Sequence, residues 1–375
     1  MKERGDCRLC GSPVLPVFDL VETPIANDYR HNPDFTRFPL GLCECMECYH
    51  VQQRYVMDNL YEDYKYTTPK TVARYLGPVA KLLKKRFPNA KTVLEIGSNN
   101  GTYLEVLREA GFDAIGVDPA ATGDCNNVGY FSENWAKAFN RQFTKEKKFD
   151  LIVANNVFAH IDDMQDVLRG VTHLLKPDGS LVFEVQYLKD LVETASFDMI
   201  YHEHMSYHMV EPLKPFLRKH GLIMTRVDHL PLHGGSIRIT ASRLGKETTF
   251  TDSPVDWEKF KEDVDSIKTK LKKKLEGKKV VGFGAAAKAT TLIHHCGIAE
   301  NILFIGDDTP QKQGCYIPGT LIEICKTDRI KDGDTILMFA WNYEREIRER
   351  YPNSELIHPF AILEKEAKNV RIGHG

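Results

Sequence analysis

The chain has 375 residues, 42% of them hydrophobic and 27% charged, and its net charge is -2, so we expect two or three domains and no obligatory nucleic-acid partner. No apolar run reaches the roughly 20 residues that span a bilayer, and the N-terminus lacks the apolar core of a signal peptide, so neither a membrane nor export is expected. Nine scattered cysteines favour reduced thiols and predict the cytoplasm.

Two cysteine pairs come first in chain order. Cys7 and Cys10 form one Cys-x-x-Cys pair, and Cys45 and Cys48 form a second. Four thiolates at tetrahedral geometry suit Zn²⁺ and leave no position for water, so the pairs predict one structural zinc ion. A redox pair and a nucleic-acid-binding zinc ribbon remain as alternatives, although Lys and Arg are sparse around both pairs.

A tyrosine-rich stretch, 61–68, follows the second pair and contains Tyr64, Tyr66 and Thr68. We predict that these three residues line a substrate pocket, and ordinary packing between two domains is the alternative. The next stretch, 71–87, has a helical apolar pattern with a basic end, which the helix dipole favours.

An apolar run that ends in an acidic residue and a Gly-rich turn predicts the first strand, loop and helix of a doubly wound sheet. The residues of this turn are Glu95, Gly97, Ser98, Asn99, Asn100 and Gly101. The next strand ends at Asp118, whose carboxylate can accept both hydroxyls of a ribose. Because Asn99 stands where the dinucleotide fingerprint has its second glycine, we predict a nucleoside without phosphates, S-adenosylmethionine. An ordinary turn with no ligand is the alternative.

Strands and helices alternate from 91 to 243, which predicts a sheet with helices on both faces. A strand at 149–154 is followed by Asn155, Asn156 and, a little later, His160. Ligands of such sheets bind at the carboxyl ends of the strands, so we assign both asparagines to the methyl-donor site. A helix at 163–175, a turn at 177–179 and strands at 180–185, 222–227 and 236–242 complete the pattern.

The most polar and aromatic cluster is 201–208, which holds three histidines, a glutamate and two tyrosines. The simplest interpretation is a general base with aromatic and carboxylate neighbours. A metal site at His202, Glu203 and His204 is less favoured, because alternate residues diverge on a helix. A loop with surface histidines is the third possibility.

Beyond residue 243 the sequence predicts a polar linker, 244–255, and a Lys-rich helix, 257–276. A second Gly-rich turn follows, in which Gly282, Gly284 and Ala287 match Gly-x-Gly-x-x-Ala, and alone it would indicate a nicotinamide-dependent oxidoreductase or epimerase. Lys288 opens the next helix, so an ammonium lies at a helix N-terminus, a natural site for a diphosphate. Asn342 follows a strand predicted at 335–340.

The combined motifs resemble the sugar C-methyltransferases, which methylate a ring carbon of nucleotide-linked 4-keto-deoxysugars. The motifs are the two cysteine pairs, the second continuing as Tyr49-His50-Val51-Gln52, and the stretches 95–101, 201–204, 233–238 and 282–288. The resemblance implies an α/β chain of three parts. They are an N-terminal zinc-binding module (1–68), a central class I S-adenosylmethionine methyltransferase domain (69–243) and a C-terminal Rossmann-like substrate domain (244–375).

The resemblance also implies roles for single residues. His204 is the expected catalytic base, with Tyr201, Glu203 and His160 beside it, the four paired cysteines hold zinc, and S-adenosylmethionine is the methyl donor. The candidate substrate-binding residues are Tyr64, Tyr66, Thr68, His233, Arg238, Lys288 and Asn342. Asn100 stands where an aspartate is common in the family. The expected partner is a nucleotide-diphosphate-linked keto-deoxysugar. The oligomeric state stays open and is compatible with a monomer.

The expected chemistry follows from the weakness of carbon as a nucleophile. A ketone at C4 acidifies the hydrogen on C3 or on C5, and His204 would remove that proton near neutral pH. Glu203 would orient the imidazole, and Tyr201 or His160 would donate to the enolate oxygen. Two other classes remain open, namely the oxidoreductase or epimerase and a zinc-bearing methyltransferase of proteins or nucleic acids.

Overall fold

The computed structural model describes residues 1–57, 70–121, 127–142, 144, 146–231 and 234–363. Four predicted substrate-binding residues, Tyr64, Tyr66, Thr68 and His233, lie outside the described residues. The chain forms two compact units. The first comprises Met1–Asp19, Leu40–Leu191 and His202–Val255, and the second comprises Leu20–Pro39, Val192–Tyr201 and the chain from Asp256 onward. The predicted division into three parts, with boundaries at 68/69 and 243/244, stays a prediction. It divides the sequence into continuous stretches, whereas each compact unit combines several separate stretches of the chain.

The strands that lie wholly or partly in the first unit are β1 (Lys2–Glu3), β2 (Val14–Thr23), β3 (Phe38–Cys45), β4 (Val51–Gln53), β5 (Tyr55–Val56), β6 (Thr92–Ile96), β7 (Asp113–Asp118), β8 (Asn127–Val128), β9 (Phe149–Asn155), β10 (Leu175–Gln186), β11 (Ser206–Tyr207), β12 (Ile223–Leu230) and β13 (Ser236–Ser242). Its helices, the fifth of which runs into the second unit, are α1 (Lys70–Arg86), α2 (Thr102–Glu109), α3 (Glu133–Asn140), α4 (Met164–Leu174), α5 (Leu188–Glu193) and α6 (Val210–Lys219).

A seven-stranded sheet in the order β12-β13-β10-β9-β6-β7-β8 is the centre of this unit. Strands β6 to β10 are parallel, whereas β13 runs antiparallel between β10 and β12. Apolar side chains of α1 and α2 cover one face, and those of α3, α4 and α6 cover the other. The predicted sheet with helices on both faces is therefore confirmed. The order reverses beside β6, and ligands of such sheets bind at that switch point.

The predicted turn at 177–179 is instead an irregularity inside β10. The pairing of β10 with β9 shifts its register between Leu175 and Ser180, and the three residues of the turn lie in that interval. A Cβ on Gly179 would lie 2.9 Å from the Phe149 carbonyl oxygen, so the close approach of the two strands requires glycine there.

A second, four-stranded sheet has the order β11-β4-β3-β2. Strands β3 and β4 flank the second cysteine pair, and β4 pairs antiparallel with both β3 and β11. Strand β11 begins two residues after His204. We call the two cysteine pairs together with strands β2, β3 and β4 the cysteine module. The cluster at 201–208 thus includes a strand, β11, that belongs to the sheet of this module.

The segment predicted as a linker, 244–255, is fastened to the first unit. Asp252 accepts the backbone N–H groups of Val210 and Glu211 at the start of α6. Helix termini leave such N–H groups without intrahelical partners, so a distant carboxylate caps this helix.

The second unit contains a five-stranded parallel sheet in the order β16-β15-β14-β17-β18. Its strands are β14 (Val280–Phe283), β15 (Ile302–Gly306), β16 (Ile324–Cys325), β17 (Thr335–Met338) and β18 (Glu355–Ile357), and its helices are α7 (Trp257–Leu275), α8 (Ala287–Cys296) and α9 (Glu344–Arg350). The order again reverses at the strand before the Gly-rich turn, as in a Rossmann-like sheet. Within the described residues, no helix has the length and apolarity needed to cross a membrane.

Candidate active site and metal centre

The four paired cysteines converge on one point. Their Sγ atoms all lie within 4.8 Å of one another, with 3.6 Å between Cys7 and Cys48 and 3.4 Å between Cys10 and Cys45. Sulfurs bound to one zinc ion at about 2.3 Å in a tetrahedron are roughly 3.8 Å apart. The donor set and its spacing therefore fit a zinc ion with four thiolate ligands.

The backbone around these sulfurs favours negative charge. The N–H groups of Glu47 and Cys48 point at the Cys45 sulfur, at 3.4 and 3.5 Å. The Cys48 thiol lowers the pKa of Cys7 by hydrogen bonding, and the same contact raises the pKa of Cys48. Cys43 lies outside the group, and burial raises the pKa of its thiol to about 11. Four of the five N-terminal cysteines therefore form the cluster, as the spacing predicts.

The first Gly-rich turn has a left-handed backbone at three residues, Gly97, Asn99 and Gly101. A Cβ on Gly97 would meet the Val157 side chain at 2.3 Å, so this glycine permits close packing at the end of β6. Asn99, with φ of 48°, adopts a conformation that asparagine tolerates better than most residues. The turn keeps its shape although its second glycine is missing.

Asp118 joins the end of β7 to this turn. Its Oδ2 accepts the Asn99 N–H at 2.9 Å, and its Oδ1 accepts the Ala120 N–H at 2.7 Å. A carboxylate has about four lone-pair sites, so two N–H contacts leave capacity for ribose hydroxyls. Ser98 lies buried in the turn, whereas the Asn100 side chain accepts the Thr102 hydroxyl at 2.8 Å.

Buried polar atoms without partners lie at the ends of two strands beside the turn. Glu95 Oε2 on β6 and Asn155 Nδ2 on β9 have no hydrogen-bond partner among the described residues. Burial raises the pKa of Glu95 well above its usual range, and the Asp118 carboxylate adds to this shift. Asn156, the next residue, has φ of 56°. Because unpaired buried groups are expensive, the set fits a polar ligand such as the donor.

Arg238 lies in a buried triad that sequence reasoning did not foresee. It is paired across β13 and β10 with Glu184, whose Oε1 accepts its Nη2 at 3.0 Å. The Tyr75 hydroxyl donates to the other oxygen, Oε2, at 2.9 Å and also accepts from Arg238. Glu184 pairs with Asn155 on its other side, so the triad reaches the same sheet edge. The sequence contained one signal for this triad, because Glu184, like Glu95, is an acidic residue near the end of an apolar strand.

Three of the predicted catalytic residues meet within the first unit. The His160 and His204 rings have centroids 4.9 Å apart, and His160 Nδ1 lies 2.7 Å from the Glu203 carbonyl oxygen. The N–H of Met205 donates to the Ala159 carbonyl, also at 2.7 Å. Two contacts thus hold the backbone on both sides of His204 against the turn at Phe158–His160.

The His160 contact fixes its tautomer. A carbonyl oxygen only accepts, so Nδ1 carries the proton. Burial lowers the pKa of His160, which favours the neutral ring with an acceptor at Nε2. The donor role toward an enolate that the sequence assigned to Tyr201 or His160 stays a prediction. Tyr201 is buried and belongs to the second unit, since the boundary falls between Tyr201 and His202.

In the second unit, the structure joins two predicted substrate-binding residues directly. Lys288 Nζ donates to Asn342 Oδ1 at 2.7 Å and lies 3.8 Å from the centroid of a Trp341 ring. The Trp341 Nε1–H donates to Asp198 Oδ2 at 2.7 Å. Burial lowers the pKa of Lys288 and raises that of Asp198, and each charge partly offsets the shift of the other. Sequence reasoning missed Asp198 because it lies far away along the chain.

In the second Gly-rich turn, another residue of the chain fills the space beside the second glycine. A Cβ on Gly284 would meet the Ala340 Cβ at 2.5 Å, so the space of the second glycine is filled by Ala340. The Ala285 carbonyl accepts from the Tyr29 hydroxyl and from Lys312 Nζ, both at 2.7 Å. This glycine therefore serves packing between the turn and the end of β17.

Comparisons with known proteins agree along most of the chain. Residues 7–60 match the family model of a zinc binding domain, 68–227 that of a methyltransferase domain, and 231–355 that of a C-methyltransferase C-terminal domain. The C-methyltransferase NovU of Streptomyces niveus is 30% identical over 385 aligned residues, which cover 91% of each chain.

Other relatives match a smaller part. A ubiquinone biosynthesis O-methyltransferase of Azorhizobium caulinodans is 29% identical over 96 residues, 24% of this chain and 38% of that one. The solved structure of an O-methyltransferase family protein from Burkholderia thailandensis, at 15% identity, covers 47% of this chain and 59% of that one with a TM-score of 0.34. The full-length similarity decides the family: the chain belongs to the sugar C-methyltransferases and is an S-adenosylmethionine-dependent C-methyltransferase with a zinc-binding domain.

Proposed function

We propose that the enzyme methylates C3 of a nucleotide-linked 4-keto-deoxysugar and that His204 removes the C3 proton. The observation that carries the proposal is the buried arrangement of His204 beside the His160 ring, with the backbone held on both sides. A base must lie within hydrogen-bond reach of the proton that it removes, and its orientation must be fixed. The sugar as the substrate class rests on the family.

Each residue of the site has a separate role in the proposed reaction. His204 takes the C3 proton, and the electron pair of the C–H bond moves into an enolate whose oxygen is the former C4 ketone. Tyr201 donates to that oxygen, because the neutral His160 presents an acceptor at Nε2. His160 instead holds the peptide between Glu203 and His204 through its Nδ1–H. S-adenosylmethionine, when bound, supplies an electrophilic methyl group, and the residues at the ends of β6, β7 and β9 bind it.

Lys288 and Asn342 are proposed to contact the nucleotide diphosphate. Burial lowers the pKa of Lys288 at the start of α8, and the nearby Asp198 carboxylate offsets part of this shift, which favours the charged ammonium. The nicotinamide-dependent alternative has weaker support, because Ala340 fills the space at Gly284 that a pyrophosphate would need. The zinc ion takes no part in the chemistry, since four thiolates leave it no open position.

Proton removal precedes methyl transfer, so it can be measured by itself. In deuterated water and without the methyl donor, the wild-type enzyme should exchange the C3 hydrogen of a 4-keto sugar for deuterium. His204→Asn should abolish exchange and methylation while both ligands still bind. A loss of 10²–10⁴-fold corresponds to about 3–5 kcal/mol of barrier.

His229→Asn is the matched control, because His229 is an exposed histidine of the same unit. Its exchange rate should equal that of the wild type. Wild-type turnover by His204→Asn would place the base elsewhere, with His160 as the next candidate. The position of the new methyl group, read by carbon NMR, tests the substrate separately. Equal methylation of a 4-hydroxy analogue would contradict the enolate.

A further inference from the structure

The strand that follows the catalytic cluster is held by the cysteine module. Ser206 of β11 pairs with Gln52 of β4, and Tyr207 pairs with Val51. The Gln53 N–H also donates to the Met205 carbonyl at 3.0 Å. Strand β4 begins three residues after Cys48, so very little chain separates a metal ligand from the backbone that carries His204.

Gln52 links this strand to the first cysteine pair as well. Its Oε1 accepts the Arg8 N–H at 2.8 Å, and its Nε2 donates to the Asp6 carbonyl at 2.9 Å. Arg8 lies between Cys7 and Cys10, and the Gln52 side chain is fully buried. Its backbone pairs with Cys43 on one side and with Ser206 on the other. One residue therefore contacts the first pair, the strand of the second pair and the catalytic segment.

His50 makes a second link of the same kind. Its carbonyl accepts the Cys45 N–H at 2.9 Å, and its ring Nε2 lies 3.3 Å from the Ser206 hydroxyl. The ring is fully buried. The turn of the second cysteine pair and the first residue of β11 are thus joined through one side chain.

We propose that Gln52 and His50 are positioning residues for the base, so that metal binding at the four cysteines orders β4, and β4 in turn orders β11 and His204. Metal binding at such a site is coupled to the folding of the residues that form it, and Gln52 is hydrogen-bonded to the backbone inside one of the two cysteine turns. The catalytic part of this inference rests on the proposed role of His204. The ordering of β11 does not, and it can be measured without substrate.

Amide hydrogen exchange of the whole protein measures the ordering. The substitution Gln52→Met preserves volume but leaves the Arg8 N–H and the Asp6 carbonyl unpaired. Peptides covering 205–208 should exchange at least about fivefold faster than in the wild type, as expected for the loss of about 1 kcal/mol of local stability. Zinc removal from the wild type by a chelator should accelerate the same peptides, whereas those of β9 and β10 should change little.

Asp19→Asn is the matched control, since Asp19 is an exposed residue of β2 in the same sheet. Its exchange should equal that of the wild type. Unchanged protection at 205–208 in both Gln52→Met and the zinc-free wild type would overturn the inference. Acceleration spread equally over β9 and β10 would overturn it too, because it would indicate general unfolding instead of a specific link.

Kinetics then separates positioning from a merely structural role. For Gln52→Met and His50→Leu, kcat should fall roughly 10- to 100-fold, as a misplacement of about 1 Å can produce, while donor affinity and zinc content stay at wild-type values. His50→Gln retains a polar nitrogen near the Nε2 position and should recover most of kcat. Wild-type kcat in the two disruptive variants would refute the catalytic part. A wild-type enzyme inactive on keto-sugars would refute the proposed function instead, and the exchange result would still stand.

Discussion

Replacement of Asp118 by alanine should weaken methyl-donor binding through the first Gly-rich turn. The substitution removes the acceptor of the Asn99 N–H at 2.9 Å, and Asn99 is the non-glycine residue of that turn with a left-handed backbone. A hydrogen bond to a charged group contributes about 1.5–3 kcal/mol. If this energy is lost from donor affinity alone, Kd should rise roughly 10- to 150-fold, since 1.4 kcal/mol is tenfold. Lost contacts to the ribose would add to this.

Calorimetry with S-adenosylhomocysteine measures the effect without turnover. Asp113→Ala is the control, because Asp113 is exposed at the opposite end of the same strand, β7. Its Kd should stay within twofold of the wild type. A Kd of Asp118→Ala within threefold of the wild type, in protein of unchanged melting temperature, would refute the assignment of the donor to this turn.

Three further predictions concern the metal, the second unit and pH. Metal analysis should give about one zinc ion per chain, and Cys45→Ser should lower both zinc content and melting temperature, whereas wild-type zinc content and melting temperature in Cys45→Ser would contradict this. Lys288→Gln should raise KM for a nucleotide-sugar at least about tenfold and leave donor affinity unchanged, and a fall in melting temperature with unchanged KM would make Lys288 only the structural partner of Asp198. Burial lowers the pKa of His295 to about 4; the charge of Lys268 adds a smaller lowering, and the Asp265 carboxylate opposes it. Below pH 6.5 this histidine is therefore protonated in the unfolded chain but stays neutral in the folded chain. Denaturant titrations should show that the free energy of unfolding is about 2 kcal/mol lower at pH 5 than at pH 7. The substitution His295→Phe should remove this difference.

The features that the sequence predicted correctly are local ones. The cysteine cluster follows from two short motifs, and the first strand, turn and helix follow from one continuous stretch around Gly97. In each case the residues that cooperate are close along the chain or are metal ligands with a known spacing. Composition and periodicity carry enough information for such features.

The features that were missed depend on contacts between distant segments. Nothing in Ser206 or Gln52 alone predicts that β11 extends the sheet of the cysteine module. Asp252 caps α6 from a segment that had been interpreted as a linker, and Glu184 meets Arg238 only through the register of β10 and β13. Polar residues in unremarkable sequence acquire their roles from the fold, because the cost of burial forces each to find a partner.

The two Gly-rich turns illustrate why a fingerprint alone does not identify a ligand. Each turn precedes a helix, and in each an acidic strand end, Asp118 or Asp307, accepts the N–H of a turn residue and one N–H of its own loop. The turns differ at the second glycine. It is Asn99 in the first, and in the second it is Gly284, whose free side is filled by Ala340. Neither turn therefore offers the bare backbone that a pyrophosphate approaches in a dinucleotide site. If this chain binds a diphosphate, we expect the N-terminus of α8 and the buried ammonium of Lys288 to attract it together, because both present positive charge.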